Sequence, residues 1–276
     1  KVTTGGLNLR QRTELKLKRA LCATGAHECV HYSFFSPADL DLLGFAEDAP
    51  ERQAIPLINP INEGLSIMRT TLAASMIHAI ARNMKRGNME GRLYEMSKIF
   101  VPKALPLAEY PDEQDMLCIG LWGDKESFFT LKGMAETVAE TLCLKFTYER
   151  AQKPFLHPYQ TAAILCDGQE IGYLGKVSYE IQDKEDMRYA GYVLEINLAK
   201  LADKYTNVPK FKPLPKFAEE KRDLALIMDK EITCGEVEKA IAEACNFVTS
   251  VKLFDVYTGF KFIAEMIKKY DDAGIG

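Results

Sequence analysis

Several features are scarce or missing in these 276 residues, and each absence excludes a class of function. No uninterrupted apolar run approaches the roughly 20 residues that a membrane-spanning helix needs, so no membrane partner is expected. Basic charge is not in excess. The 35 Lys and Arg stand against 39 Asp and Glu, a net charge of −4, which argues against bulk attraction to nucleic acid and leaves room only for a local basic face. No Walker-type loop occurs, and no Gly-x-Gly-x-Gly-x-Glu-Arg string. The seven cysteines show neither paired nor metal-type spacing, and their odd number suggests reduced thiols in a cytoplasmic protein. Cys22, Cys118, Cys143 and Cys166 all fall in apolar runs and read as buried, inert thiols. No spaced His/Cys/Asp group suggests a metal, so no metal site is expected. Residue 1 is Lys1, with no signal or transit pattern after it, as in an excised piece of a longer chain.

What is present describes a globular protein with a real core: 47% apolar and 27% charged residues. The most informative stretch runs from Asn59 to Val101. Asn59-Pro60 marks a turn. Thr71 can cap a helix in which Leu72, Met76, Ala79, Ile80 and Asn83 form one stripe. Gly87 and Gly91 end it, and Leu93–Val101 reads as a buried strand. Upstream, Asn8 and Gln11 make a capping box for a basic helix to about Thr24, with Leu9, Leu17, Ala20 and Leu21 on its apolar side. Its Arg10, Arg12, Lys16, Lys18 and Arg19 read as a solvated face, or as a face toward a subunit or RNA. Glu28–Phe35 is expected to be a strand, followed by a short helix from Ser36-Pro37 to Leu43.

Downstream, Ala104–Asp115 reads as an exposed loop and Met116–Trp122 as a buried strand. A helix follows from Phe128 to about Leu142, then a strand over Lys145–Arg150 and a tight corner at Pro154–Pro158. Thr161–Cys166 and Gln169–Leu174 form a hairpin about Asp167-Gly168. A strand at Gly191–Asn197 and a short helix at Leu198–Tyr205 complete an α+β domain over residues 1–206, an antiparallel sheet with helices on one face. The proline- and lysine-rich residues 207–217 read as a linker. In residues 218–276, Lys221–Asp229 and Phe247–Tyr257 read as strands about a helix capped by Thr233 and Glu236. This is half of a ferredoxin-like sandwich, interrupted near 259–260 because Phe260–Tyr270 reads as a helix.

The strings Asn59-Pro60, Met68-Arg69-Thr70-Thr71-Leu72, Leu93-Tyr94-Glu95 and Lys98-Ile99-Phe100 resemble the catalytic-like module of bacterial phenylalanyl-tRNA synthetase β chains. Lys221-Arg222-Asp223-Leu224-Ala225 and Leu253-Phe254-Asp255-Val256-Tyr257 resemble the ferredoxin-fold anticodon-binding domain that ends those chains. The resemblance implies a class II synthetase-like fold in a subunit of an α2β2 tetramer that joins phenylalanine to tRNA(Phe). In such a tetramer ATP and Mg²⁺ are used by the whole enzyme and none is bound by this piece. It also implies that Leu9–Pro37 packs against another subunit, with Val30, Tyr32, Phe34 and Phe35 as the apolar centre. No catalytic residue is expected here, because Glu95 stands where the class II pattern carries a phosphate-binding arginine. His157-Pro158-Tyr159-Gln160 departs from the His-Pro-Gly-Arg common in the family, so that arginine's role does not transfer, and His157 reads as structural. Arg69 is read either as half of a buried pair with Glu95 or as a contact to the partner subunit or tRNA. Lys212, Lys216, Lys221, Arg222 and Lys252 are candidate phosphate contacts for tRNA, or a solvated lysine-rich surface. Two rival readings are a freestanding ligase on the same fold, related to biotin or lipoate ligases, and a stand-alone RNA-binding regulator.

Overall fold

The computed structural model describes residues 5–205, 209, 211, 213, 218, 220–229 and 231–257. The chain divides into two compact units, Lys1–Phe211 and Lys212–Gly276. In the first, α1 (Leu9–Ala23) leads into a two-residue strand β1 (His27–Glu28), then β2 (Phe34–Phe35) and α2 (Pro37–Leu42). After a long irregular stretch come β3 (Ile67–Met68), α3 (Ala73–Lys85), β4 (Gly91–Val101), β5 (Asp112–Trp122) and α4 (Phe128–Thr141). The remainder is β6 (Phe146–Arg150), β7 (Leu156–Cys166), β8 (Gln169–Val177), α5 (Tyr179–Lys184) and β9 (Gly191–Asn197).

Seven strands form one sheet in the order β1-β4-β5-β9-β8-β7-β6, antiparallel except for the parallel β1–β4 pair, while β2 and β3 pair separately. Helices cover both faces, not one. β9 is buried at all seven positions, and β5 is buried from Met116 to Trp122. A strand with no polar side must be covered twice. Leu117, Ile119 and Leu121 of β5 pack with Leu17 and Leu21 of α1 and Leu131, Met134 and Val138 of α4. Met116, Cys118 and Trp122 face the opposite layer with Met76, Ile77, Ile80 and Met84 of α3. Gly120 permits that approach, since a Cβ there would sit 2.7 Å from Met76.

Local chemistry explains the element ends. The Asn8–Gln11 and Ser36–Asp39 capping boxes open α1 and α2. Asp167 and Gly168, both at positive φ, turn β7 into β8. α5 has no counterpart in the sequence reading, although Ser178 caps it by accepting from Ile181 N. Other expectations are corrected. Glu28–Phe35 is not one strand: it is two short pieces, β1 and β2, joined by a strap that forms no strand ladder. The corner expected over Pro154–Pro158 is shorter: Pro154–Phe155 make a turn closed by Leu156 N to Lys153 O (3.0 Å). β7 already runs from Leu156, and its pairing with β8 skips from Leu156 to Thr161. His157 accepts from Tyr159 N (3.2 Å) and Thr161 Oγ1 donates to His157 O (2.7 Å), so the ring and carbonyl fix that bulge. Leu198–Tyr205 holds only a 3₁₀ turn at Ala199–Leu201. Leu9 is half exposed, and Cys22 is exposed while Cys143 is half-buried, because the apolar runs around them turn other positions inward.

In the second unit α6 (Cys234–Ala244) carries the expected Thr233–Glu236 capping box. Lys221–Asp229 and Phe247–Tyr257 have no strand ladder among the described residues, and Leu224, Ile227, Phe247 and Phe254 are exposed. An alternating pattern gives a segment the capacity to pair, but a strand exists only where a neighbour accepts its hydrogen bonds. The helix expected at Phe260–Tyr270 lies outside the described residues, as does much of the expected linker.

Candidate functional site

The site grows from the parallel β1–β4 pair, where His27 lies opposite Leu93 and Glu28 opposite Tyr94. Beyond β1 the chain stays against β4, and Cys29 N donates to Tyr94 O (2.8 Å). Extended backbone sends alternate side chains to opposite sides. Cys29 and His31 therefore turn toward Glu95 on β4, while Val30 and Tyr32 point outward, 84% and 66% exposed. Phe34 is half-buried opposite Met68, and Phe35 is buried opposite Ile67. Ile58 and Ile61, both exposed, lie in the loop closed by Leu57 N to Ser66 O (2.9 Å) and laced to this edge by Ser66 N to Phe35 O (3.2 Å).

Arg69 follows β3 immediately and is only 1% exposed. Its Nε donates to Lys98 O (2.8 Å), its Nη1 to Tyr32 O (3.2 Å) and to Glu95 Oε1 (3.0 Å), and its Nη2 to Ser97 Oγ. His31 meets the other carboxylate oxygen, Nδ1 to Oε2 at 2.6 Å, and the His31 backbone N donates to Oε1 (3.3 Å). Burial alone would raise the Glu95 pKa, but the His31 hydrogen bond and the Arg69 charge together carry it below the ordinary value. The Cys29 thiol beside it is pushed up to about 12, by burial first and then by the Glu95 charge.

A second buried carboxylate anchors the next helix. Glu195 Oε1 accepts from Leu72 N (2.8 Å), and Oε2 accepts from Thr71 Oγ1 (2.7 Å) and Tyr173 OH (2.5 Å). Thr71 Oγ1 also accepts from Ala73 N (3.1 Å), so the expected cap acts from two residues ahead of the helix, with Leu72 in the N-cap position. Burial pushes the Glu195 pKa up against these three donors. Both carboxylates are thus spent on structure, and Arg69 presents no edge to a nucleotide phosphate. Cys29 Sγ, His31 Nδ1 and Glu95 Oε2 lie within 4.8 Å of one another. A thiol and an imidazole do not suit Mg²⁺, which demands oxygen ligands.

Of the residues singled out from sequence, Arg69 lies at the centre of this cluster, and Val30 and Tyr32 lie on the exposed side of its strap. Lys221, Arg222 and Lys252 are exposed in the second unit, where Arg222 pairs with Glu220. Lys212 and Lys216 lie outside the described residues. Sequence reasoning missed Cys29 and His31. Their signal was a Cys-x-His alternation in an extended stretch, but His31 meets Glu95 across 64 residues of chain.

Residues 1–198 match the family model described as the phenylalanyl-tRNA synthetase β chain CLM domain, and residues 215–269 match the ferredoxin-fold anticodon-binding domain. The phenylalanine–tRNA ligase β subunit of Clostridium tetani is 35% identical over 92% of this chain and 32% of its own length. That of Clostridium acetobutylicum is 33% identical over 94% of this chain and 33% of its own. The chain therefore spans about a third of the length of these relatives. A pyrrolysyl-tRNA synthetase from Desulfitobacterium hafniense shares the fold at a TM-score of 0.55, with 18% identity, over 69% of this chain and 67% of that one.

Proposed function

Because this chain belongs to the phenylalanyl-tRNA synthetase β-chain family, we propose that it acts as a non-catalytic part of a cytoplasmic phenylalanine–tRNA ligase. In this reading it scaffolds the catalytic α subunit in an α2β2 assembly through the Val30–Tyr32 edge. It docks tRNA(Phe) through Lys212, Lys216, Lys221, Arg222 and Lys252 of its anticodon-binding domain. ATP and Mg²⁺ are held by the α subunit.

One observation carries the reading. Where a class II synthetase needs a cation to receive ATP phosphate, this chain buries the Glu95 carboxylate at 2% side-chain exposure, with both oxygens engaged. Catalysis of adenylate formation depends on preorganised positive charge, and an anion in that place opposes it. The nearby Arg69 cannot substitute, since its guanidinium is committed to Glu95, Ser97 and two carbonyls. The test is equilibrium ATP binding by this chain alone and after addition of its α subunit. Binding should arise only with the α subunit. Stoichiometric ATP binding by this chain alone would overturn the proposal.

A further inference from the structure

We propose that Cys29, His31 and Glu95 form a three-donor site for Zn²⁺, which fastens the strap between β1 and β2 onto β4. The donors are Cys29 Sγ, His31 Nδ1 and Glu95 Oε2, already gathered within 4.8 Å of one another. A tetrahedral zinc ion with bonds of about 2.0–2.3 Å sets its ligand atoms roughly 3.3–3.6 Å apart. The His31–Glu95 contact of 2.6 Å would open by under about 1 Å, and the thiol would close by up to about 1.3 Å. The ion replaces the proton between His31 and Glu95, and the Cys29 thiol gives up to solvent the proton it now donates to Tyr94 O (3.4 Å). One sulfur, one imidazole and one carboxylate is a donor set that selects zinc over Mg²⁺ or Ca²⁺.

The surroundings support such a site. Arg69 holds Glu95 through Oε1 and so leaves Oε2 facing the strap. A partner that orients a ligating carboxylate in this way is what metal sites require beyond their direct ligands. The Cys29 backbone is pinned by its bond to Tyr94 O, so its side chain is held at the correct register. His31 remains 21% exposed, which gives an entry path and room for water as the fourth ligand. Residues 29–33 form no strand ladder and are held by separate hydrogen bonds such as Cys29 N to Tyr94 O and Arg69 N to Ser33 O (3.0 Å), to which zinc would add a cross-link between side chains. The outward side chains of the same strap, Val30 and Tyr32, would be stiffened with it.

The test is titration of the metal-free purified chain with Co²⁺, a spectroscopic stand-in for Zn²⁺. One equivalent should give a thiolate-to-cobalt charge-transfer band and intense tetrahedral visible bands, and added Zn²⁺ should displace both. Cys29→Ser should abolish the charge-transfer band, and His31→Ala should weaken affinity by about 100-fold, at the upper end of what losing a mere supporting residue costs. A triple Cys22→Ser, Cys234→Ser, Cys245→Ser variant removes the exposed thiols and should leave the spectrum intact. Failure of the band to form at one equivalent, its survival in Cys29→Ser, or its loss in the triple variant overturns the proposal. Should Cys29→Ser fail to fold, X-ray absorption on the zinc-loaded unmutated chain decides the matter. One sulfur at about 2.3 Å among N/O ligands at about 2.0 Å is expected. A shell with no sulfur, or with two or more, refutes the site.

Discussion

Arg69→Ala removes the cation buried beside Glu95. Its consequences follow from geometry: Glu95 keeps His31 but loses its charged partner, and Lys98 O, Tyr32 O and Ser97 Oγ are each deprived of a donor. Breaking a buried ion pair by deleting one side costs about 3–5 kcal/mol, because the remaining charge stays desolvated. That is a large share of the about 5–15 kcal/mol by which a folded protein is stable. A urea titration with a slope of about 1–3 kcal/mol per molar should therefore show the midpoint fall by about 1 M or more. Lys103→Ala, which deletes an ion pair 60% exposed on both sides, should change stability by less than about 0.5 kcal/mol. Adding Glu95→Ala to Arg69→Ala should cost less than the sum of the two, with a coupling of about 2 kcal/mol. The sign of the pH effect is also fixed. The folded Glu95 pKa lies below its ordinary 4.5, so its contribution is present above that value and lost as pH falls through the folded value. The gap between native chain and Arg69→Ala should thus narrow in acid. A cost below about 1 kcal/mol, or additivity with Glu95→Ala, would refute the view that this pair organises the edge of the sheet.

Paired Val30→Asp and Tyr32→Asp substitutions should abolish co-purification with the α subunit while leaving the urea midpoint unchanged; undiminished assembly would remove the strap from the interface. Charge reversal at Lys221, Arg222 and Lys252 should weaken tRNA binding and lower the slope of log affinity against log salt by about one for each phosphate no longer neutralised, and an unchanged slope would exclude these positions. His78 joins α2 to α5 through Asp39 (2.8 Å) and Glu185 (3.3 Å), and the Asp39 hydrogen bond outweighs burial to raise its pKa above 6.5. Its contribution is full below 6.5 and lost as pH rises through the folded value, so stability should decline across that window in the native chain but not in His78→Gln.

Much of the fold was legible because its signals are local. Capping boxes at Asn8, Ser36 and Thr233, the Asp167-Gly168 turn and the apolar runs of β5 and β9 each act within a few residues. Hairpin-linked strands outnumbering helices suggested coverage of one sheet face only, whereas the wholly buried β9 and the buried run of β5 require coverage of both. The strap was misread because β-branched and aromatic residues set a propensity for extension, whereas pairing depends on which strand lies alongside. Arg69 and Glu95 stood out from sequence as charges inside apolar motifs, and burial made them a pair.

By itself, the sequence determined the capped helix starts at Asn8, Ser36 and Thr233, the Asp167-Gly168 turn, and the buried runs of β5 and β9. Only tertiary structure decided that Cys29 and His31 turn toward the Glu95 carboxylate while Val30 and Tyr32 turn away. The reason is physical: alternation along a strand fixes which residues share a side, but the neighbouring strand decides what that side meets.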